Sequence, residues 1–201
     1  MKPKDRVCIA IPHGGSIVAE LSSNLVDLAI MRRERIGQLI QIGNIGLLTR
    51  TRNLIVKQFL DETDLPWLLM VDSDEQLPME AFDRLIETAD AVERPFVSAL
   101  VFAGFSDPDG QLVPVPVIYE DVEGFDWPLP MREIPFDTVV DIAGAGTGCL
   151  LIHRRVFERM REDANPNQGQ DWCWFKDGAI GGRWFSEDIL FSRHVRQLGF
   201  P

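Results

Sequence analysis

Three carboxylates crowd into the tetrapeptide Asp72-Ser73-Asp74-Glu75, directly after the apolar run Trp67-Leu68-Leu69-Met70-Val71. Carboxylates that close repel one another unless water, capped amides or a cation compensates them. Two aspartates one residue apart can reach a single hard cation, directly or through water. Mg²⁺ or Mn²⁺ usually takes one or two carboxylates together with substrate phosphates. The plainer role is an aspartate capping the helix that follows, and the tripeptide alone does not choose between them. A second acidic pair, Glu187-Asp188, follows Ser186. With Ser186 as N-cap, both carboxylates fall in the first helical turn, where the dipole and free amides favour the ionised form. That arrangement stabilises a helix; beside an open pocket it also equips Asp188 as a general base. The preceding Gly181-Gly182-Arg183-Trp184-Phe185 adds flexible backbone and aromatic walls.

Other residues are candidates by position. Gly144-Ala145-Gly146-Thr147-Gly148 lets backbone approach a ligand closely. It lacks the Lys-Ser/Thr ending of a P-loop and precedes a strand, so it reads as a tight turn walling a pocket. Arg50, Arg52 and Asn53 stand near the start of a helix, where a diphosphate or base can be met. His13 follows the first strand and is placed to touch a nucleotide. His153 and His194 lack metal-ligand spacing and read as surface or packing residues. Cys8 and Cys149 lie in apolar runs and read as buried free thiols; with Cys173 they form no zinc spacing.

The elements that would position these groups alternate along the chain. Val7–Ile11 reads as a buried strand broken by Pro12-His13-Gly14-Gly15, and Ser16 as the cap of a helix carrying Val18, Leu21, Leu25 and Leu28 on one face. Strands are expected at 36–42, 67–71 and 95–102, and helices at 47–60 and 78–89, the latter opened by Pro78. Such alternation predicts an α/β layer with a mostly parallel sheet, which binds ligands outside the carboxyl ends of its strands. From 103 to 137 the prolines multiply, predicting a long irregular excursion around one strand at 115–119. After it come a strand, the glycine turn, a strand and a helix. A last helix follows, terminated by Gly199.

At 201 residues the chain suits one domain. A net charge of −11 argues against a broad nucleic-acid surface, and the basic run Met31–Arg35 reads as a solvated helix end. No apolar run is long enough for a membrane span or a signal peptide, so a cytoplasmic location is expected.

Taken in order, VCIAIPHGG, TRTRNLIVKQFL, WLLMVDSDEQLP, GAGTGCLLIHRRVFERM and WFSEDILFSRHVRQLGF resemble the nucleotide-sugar-binding domain of GT-A-fold glycosyltransferases, family-2-like enzymes of bacteria and phages. The resemblance spans nearly the whole chain. It implies a GT-A fold and transfer of a sugar from a nucleoside diphosphate, UDP- or GDP-linked, to an acceptor hydroxyl, with inversion preferred and retention the alternative. It implies that Asp72 and Asp74 hold ribose and the metal, Asp74 more directly, with Ser73 between them. Pro12, His13 and Gly14 would line the base and Arg52 would face the nucleotide. Beside these, Asn53 is placed by its helix position to meet the nucleotide, the turn at Gly146, Thr147 and Gly148 to wall the pocket, and Trp184 with the Pro-rich excursion to shape the acceptor site. Asp188 would be the acceptor base beside Glu187. Many relatives continue past a Gly-Phe like Gly199-Phe200 into a strand with a histidine ligand, whereas this sequence ends at Pro201. The metal site is therefore expected to be completed by water or the diphosphate, with weak donor affinity. The edge left uncovered would be open to pairing into a homo-oligomer. The acceptor stays open: a modified nucleic-acid base, a glycan, a lipid or a protein.

Two other readings compete. A haloacid-dehalogenase-like phosphatase also uses a strand-terminal Asp-x-Asp with Mg²⁺, but on its first strand and with Thr or Val where Gln76 stands here. A non-catalytic module that binds a nucleotide-sugar is the other.

Overall fold

The computed structural model describes residues 6–43, 46–164 and 173–201. Strand β1 (Val7–His13), helix α1 (Ala19–Met31), β2 (Ile36–Gly43), α2 (Leu48–Glu62), β3 (Trp67–Val71) and α3 (Met79–Thr88) alternate as expected. Then come β4 (Phe96–Ser98), β5 (Phe102–Ser106), β6 (Leu112–Pro116), β7 (Ile118–Glu120), β8 (Leu129–Pro130) and β9 (Gly144–Ala145). The chain ends with β10 (Cys149–His153), α4 (Arg154–Asp163), β11 (Gly178–Ile180), β12 (Arg183–Phe185) and α5 (Glu187–Gln197).

The central sheet has the order β2-β1-β3-β10-β4. β1 pairs in parallel with β2 and β3, while β10 runs antiparallel between β3 and β4. Four of the five strands thus share one direction, and the sheet is mostly parallel with one reversed strand.

Strand alternation divides the core into two layers. Cys8, Ala10, Leu68, Met70, Leu150 and Ile152 face one way, onto α2, α4 and α5 through Phe59, Phe157 and Phe191. Val7, Ile9, Ile11, Leu69, Val71 and Leu151 face the other way, onto Leu21 and Leu28 of α1 and Phe82 of α3. Burial on both faces explains why these strands read as unbroken apolar runs. It also pushes the Cys8 and Cys149 thiols up to about 12, so they are inert packing groups. Among the described residues no helix is long and apolar enough to cross a membrane.

Four local expectations are corrected. The strand expected at 95–102 divides into β4 and β5, because β10 begins only at Cys149 and offers no ladder partner beyond the Ala99 amide. The single strand expected at 115–119 is two: Val115 and Pro116 pair with β5, whereas Ile118 and Tyr119 pair with β9. The excursion therefore supplies a β5–β6 hairpin and the β7 and β8 strands of a small sheet completed by β9. No strand precedes Gly144; residues 138–142 are irregular, and Gly144 itself pairs with Tyr119. Ser16 does not cap α1. Val18 occupies that position, and its amide donates to the Ser73 carbonyl at 2.9 Å, tying the helix entry to the acidic loop.

Candidate active site

The register of β1 on β3 runs from Val7 beside Trp67 to Ala10 beside Met70. Continued in parallel, it brings His13-Gly14 and Asp72-Ser73 out at the same end of neighbouring strands. The reversed β10 starts at that end, so Gly148 closes the group: its carbonyl accepts the Asp72 amide at 2.9 Å. A Cβ at Gly148 would lie 2.9 Å from a Glu75 carboxylate oxygen. Glycine there leaves room for that carboxylate.

Arg52 joins the two acidic motifs. Its Nη2 donates to both Asp72 oxygens at 2.8 Å and its Nη1 to Glu187 Oε1 at 3.1 Å. The side chain is 1% exposed. Residues distant in sequence, on α2, just after β3 and on α5, thus meet at one guanidinium. Burial pushes the Asp72 carboxyl up to about 6, against the pull of Arg52 and with the Asp74 and Glu187 charges adding to the rise. Burial likewise raises Glu187 against the same arginine, and raises Glu75, where the Asp74 and Asp72 charges reinforce it.

A carboxyl raised in the fold stabilises the protein while protonated. Its contribution is full below the ordinary 3.8 and is lost as pH rises through about 6. Asp72→Asn cannot ionise, so it should gain on the wild type between about pH 3 and 7, by on the order of 3 kcal/mol. Thermal melts at several pH values check this. A gap between the two proteins that does not change with pH would contradict the raised carboxyl.

The other expected residues divide. Asp74 is exposed beside this group, and Ser73 is half-buried. Asp188 is half-buried at the start of α5; its Oδ1 accepts the Ser186 hydroxyl and the Ile189 amide at 2.8 Å. Ser186 stands at the N-cap position, but its hydroxyl bonds Asp188 and caps no backbone amide. Trp184 is 70% exposed on the β11–β12 hairpin that leads into α5. His13 lays its ring against Gly43 and accepts the Gly15 amide at 3.2 Å, while Gly14 is open.

Three assignments change. Asn53 is not free to face a nucleotide: it accepts the Trp174 and Phe175 amides at 2.7 and 2.9 Å and donates to the Phe175 carbonyl at 2.6 Å. It anchors the segment entering β11, where Phe175 stacks on Phe191 of α5. Pro12 is buried within β1, paired with Ile42. Gly146 and Thr147 are buried as well, and the Gly146 amide donates to the Val117 carbonyl at 2.7 Å, so this turn packs inward and only Gly148 borders the site. His153 packs edge-on against Trp67, and His194 lies 3.4 Å from Asp163, as packing and surface roles require.

Sequence reasoning passed over Tyr119 and Trp127, which pack with Phe185 and Ile189 beneath the hairpin. Tyr119 is raised by burial and then by the Asp188 charge. A cleft of about 340 Å³ continues from there along α5, lined by Asp126, Trp127, Ile189, Arg193 and Arg196 among others. No local spacing announced it, since its walls come from an irregular loop and one helix face.

The fold has a precedent among solved structures. The chain shares its fold with A197 from STIV. The TM-score is 0.52 at 15% identity, over 95% of this chain and 78% of that one. A glycosyltransferase involved in the glycosylation of the major capsid of PBCV-1 gives a TM-score of 0.39 at 15% identity, over 76% of this chain and 62% of that one. A 4-diphosphocytidyl-2C-methyl-D-erythritol synthase from Anaerococcus prevotii gives 0.39 at 13% identity, over 96% and 99%. Those two scores fall short of a shared fold. No family model matches the chain, and no curated protein matches it.

Among the described residues no group of three or more His, Cys, Asp or Glu is arranged to hold a metal ion. Both Asp72 oxygens already face Arg52, which leaves Asp74 and Glu75 as the carboxylates with oxygen to spare. Two carboxylates alone are too few for a hard cation, which would need further oxygen donors there.

Proposed function

We propose that this protein is a GT-A-fold glycosyltransferase that moves a sugar from a UDP- or GDP-linked donor to an acceptor hydroxyl with inversion, using Mn²⁺ or Mg²⁺. The observation that carries the reading is the Arg52 guanidinium between Asp72 and Glu187, which unites the Asp-Ser-Asp and Ser-Glu-Asp motifs in one site. The nucleotide would lie across the exits of β1 and β3, over His13, Gly14 and Ser73. Asp74 would hold the cation together with the donor's phosphates. That cation would offset the charge of the departing diphosphate.

Asp188 would take the proton of the acceptor hydroxyl as its oxygen bonds to the anomeric carbon. The bond from that carbon to the diphosphate oxygen breaks on the opposite face, and the nucleoside diphosphate leaves with the electron pair. Glu187 would stay engaged by Arg52 at the start of the helix, which leaves Asp188 as the carboxylate free to meet the acceptor. The phosphatase reading is disfavoured because an Asp72 whose two oxygens both lie on Arg52 is a poor nucleophile.

The metal assignment is tested at Asp74. Asp74→Asn keeps the shape and removes a charge, and should weaken Mn²⁺-dependent binding of a nucleoside diphosphate by about tenfold or more. Calorimetry with and without Mn²⁺ measures it. Unchanged metal-dependent affinity would remove Asp74 from the cation site.

A further inference from the structure

The β5–β6 hairpin stands apart from the central sheet, and its two edges differ. Among the described residues β5 pairs only with β6. The Val117 amide donates to the Val101 carbonyl at 3.0 Å and the Asp107 amide to the Gln111 carbonyl at 2.9 Å. These bonds set the parity of the ladder: Ala103 with Val115 and Phe105 with Val113 exchange bonds inside the hairpin. Phe102, Gly104 and Ser106 consequently direct their N–H and C=O groups outward. On the other edge the outward residues are Leu112, Pro114 and Pro116, two of which have no N–H to offer. Proline closes one edge; among the described residues nothing pairs with the other.

The hairpin is also unusually apolar for its exposure, with Phe102 51%, Phe105 55% and Leu112 74% exposed. A two-stranded hairpin is marginal in water without a third strand or a helix to pack on. We propose that β5 is the contact through which two copies of this chain pair, antiparallel about Gly104, into a four-stranded sheet with Pro114 and Pro116 on both outer edges.

Several features favour a second copy as the occupant. An antiparallel pairing of a strand with itself is isologous and closes after two chains. About Gly104 it sets Phe102 opposite the partner's Ser106, and Ala103 opposite the partner's Phe105, so each ring meets a small side chain. The protein is strongly acidic at a net −11, yet Phe102–Ser106 carries no ionisable residue. Asp107 and Asp109 lie in the turn, which this pairing sends to opposite ends of the sheet. A five-residue strand contact buries less than the standard interface of about 1,600 Å², so the dimer should be reversible.

Sedimentation velocity from about 5 to 500 µM, combined with hydrogen exchange at both extremes, tests this. The expected result is a monomer passing to a dimer, with protection at residues 102–106 that rises with concentration. Ser106→Lys changes an exposed side chain and should leave thermal melting unchanged while weakening association about tenfold or more. Leu112→Ser removes apolar surface packed over Gly104 but leaves the β5 backbone edge as it is, and should weaken it less. A protein still monomeric at about 500 µM would overturn the proposal. So would protection elsewhere, association indifferent to Ser106→Lys, or a larger effect of Leu112→Ser. Growth beyond a dimer would overturn the closure by proline.

Discussion

Asp188→Asn is expected to lower turnover of a nucleoside-diphosphate sugar by about a hundredfold or more while leaving donor binding nearly intact. Its setting motivates this. The side chain is half-buried at the start of α5, oriented by the Ser186 hydroxyl and the Ile189 amide, below a hairpin that carries the exposed Trp184. Asparagine accepts the same two hydrogen bonds, so the helix start should keep its shape and only the proton acceptor is lost. Ser186→Ala, which removes the orienting hydroxyl but keeps the carboxylate, should cost much less. Steady-state rates at saturating donor, with calorimetric donor affinity on the same variants, separate chemistry from binding. Loss of donor affinity with turnover kept at saturation would show that Asp188 is not the base.

Arg52→Ala is expected to destabilise the protein by about 3–5 kcal/mol, the scale of leaving buried charges without their partner. The arginine is 1% exposed, with Asp72 on one side of its fork and Glu187 on the other. Removing it strands two carboxylates that burial already drives upward. Arg52→Lys should recover less than half of the loss, because an ammonium cannot present two faces of a planar fork. Pairing Arg52→Ala with Asp72→Asn should be milder than the sum of the single changes, since one stranded charge disappears with it. Urea unfolding of the set measures all three. A loss below about 1 kcal/mol for Arg52→Ala would mean that water enters and replaces the guanidinium, as at exposed ion pairs.

Legibility in the sequence tracked how local the cause of each feature was. β3 has the expected bounds, Trp67–Val71, and α3 begins at Met79 with Pro78 as its N-cap. Gly199, at φ +84°, ends the last helix. These features follow from apolar runs, proline geometry and the left-handed region that glycine tolerates. The strand expected at 95–102 failed because a strand needs a partner. β10, which arrives about fifty residues later, decides where β4 stops.

Sequence by itself determined the alternating α/β class, the two-sided burial of β1 and β3, and the placing of Asp72 and Asp188 at element ends. Each of those is written in residues that are neighbours along the chain. Only the tertiary structure decided that Arg52 belongs between Asp72 and Glu187 and that Asn53, its neighbour, belongs to the Trp174-Phe175 backbone. On a helix, adjacent residues point about 100° apart, so their partners are chosen by which segments pack on each face. That choice brings together groups 20 and 135 positions from Arg52, and no short window of sequence contains both.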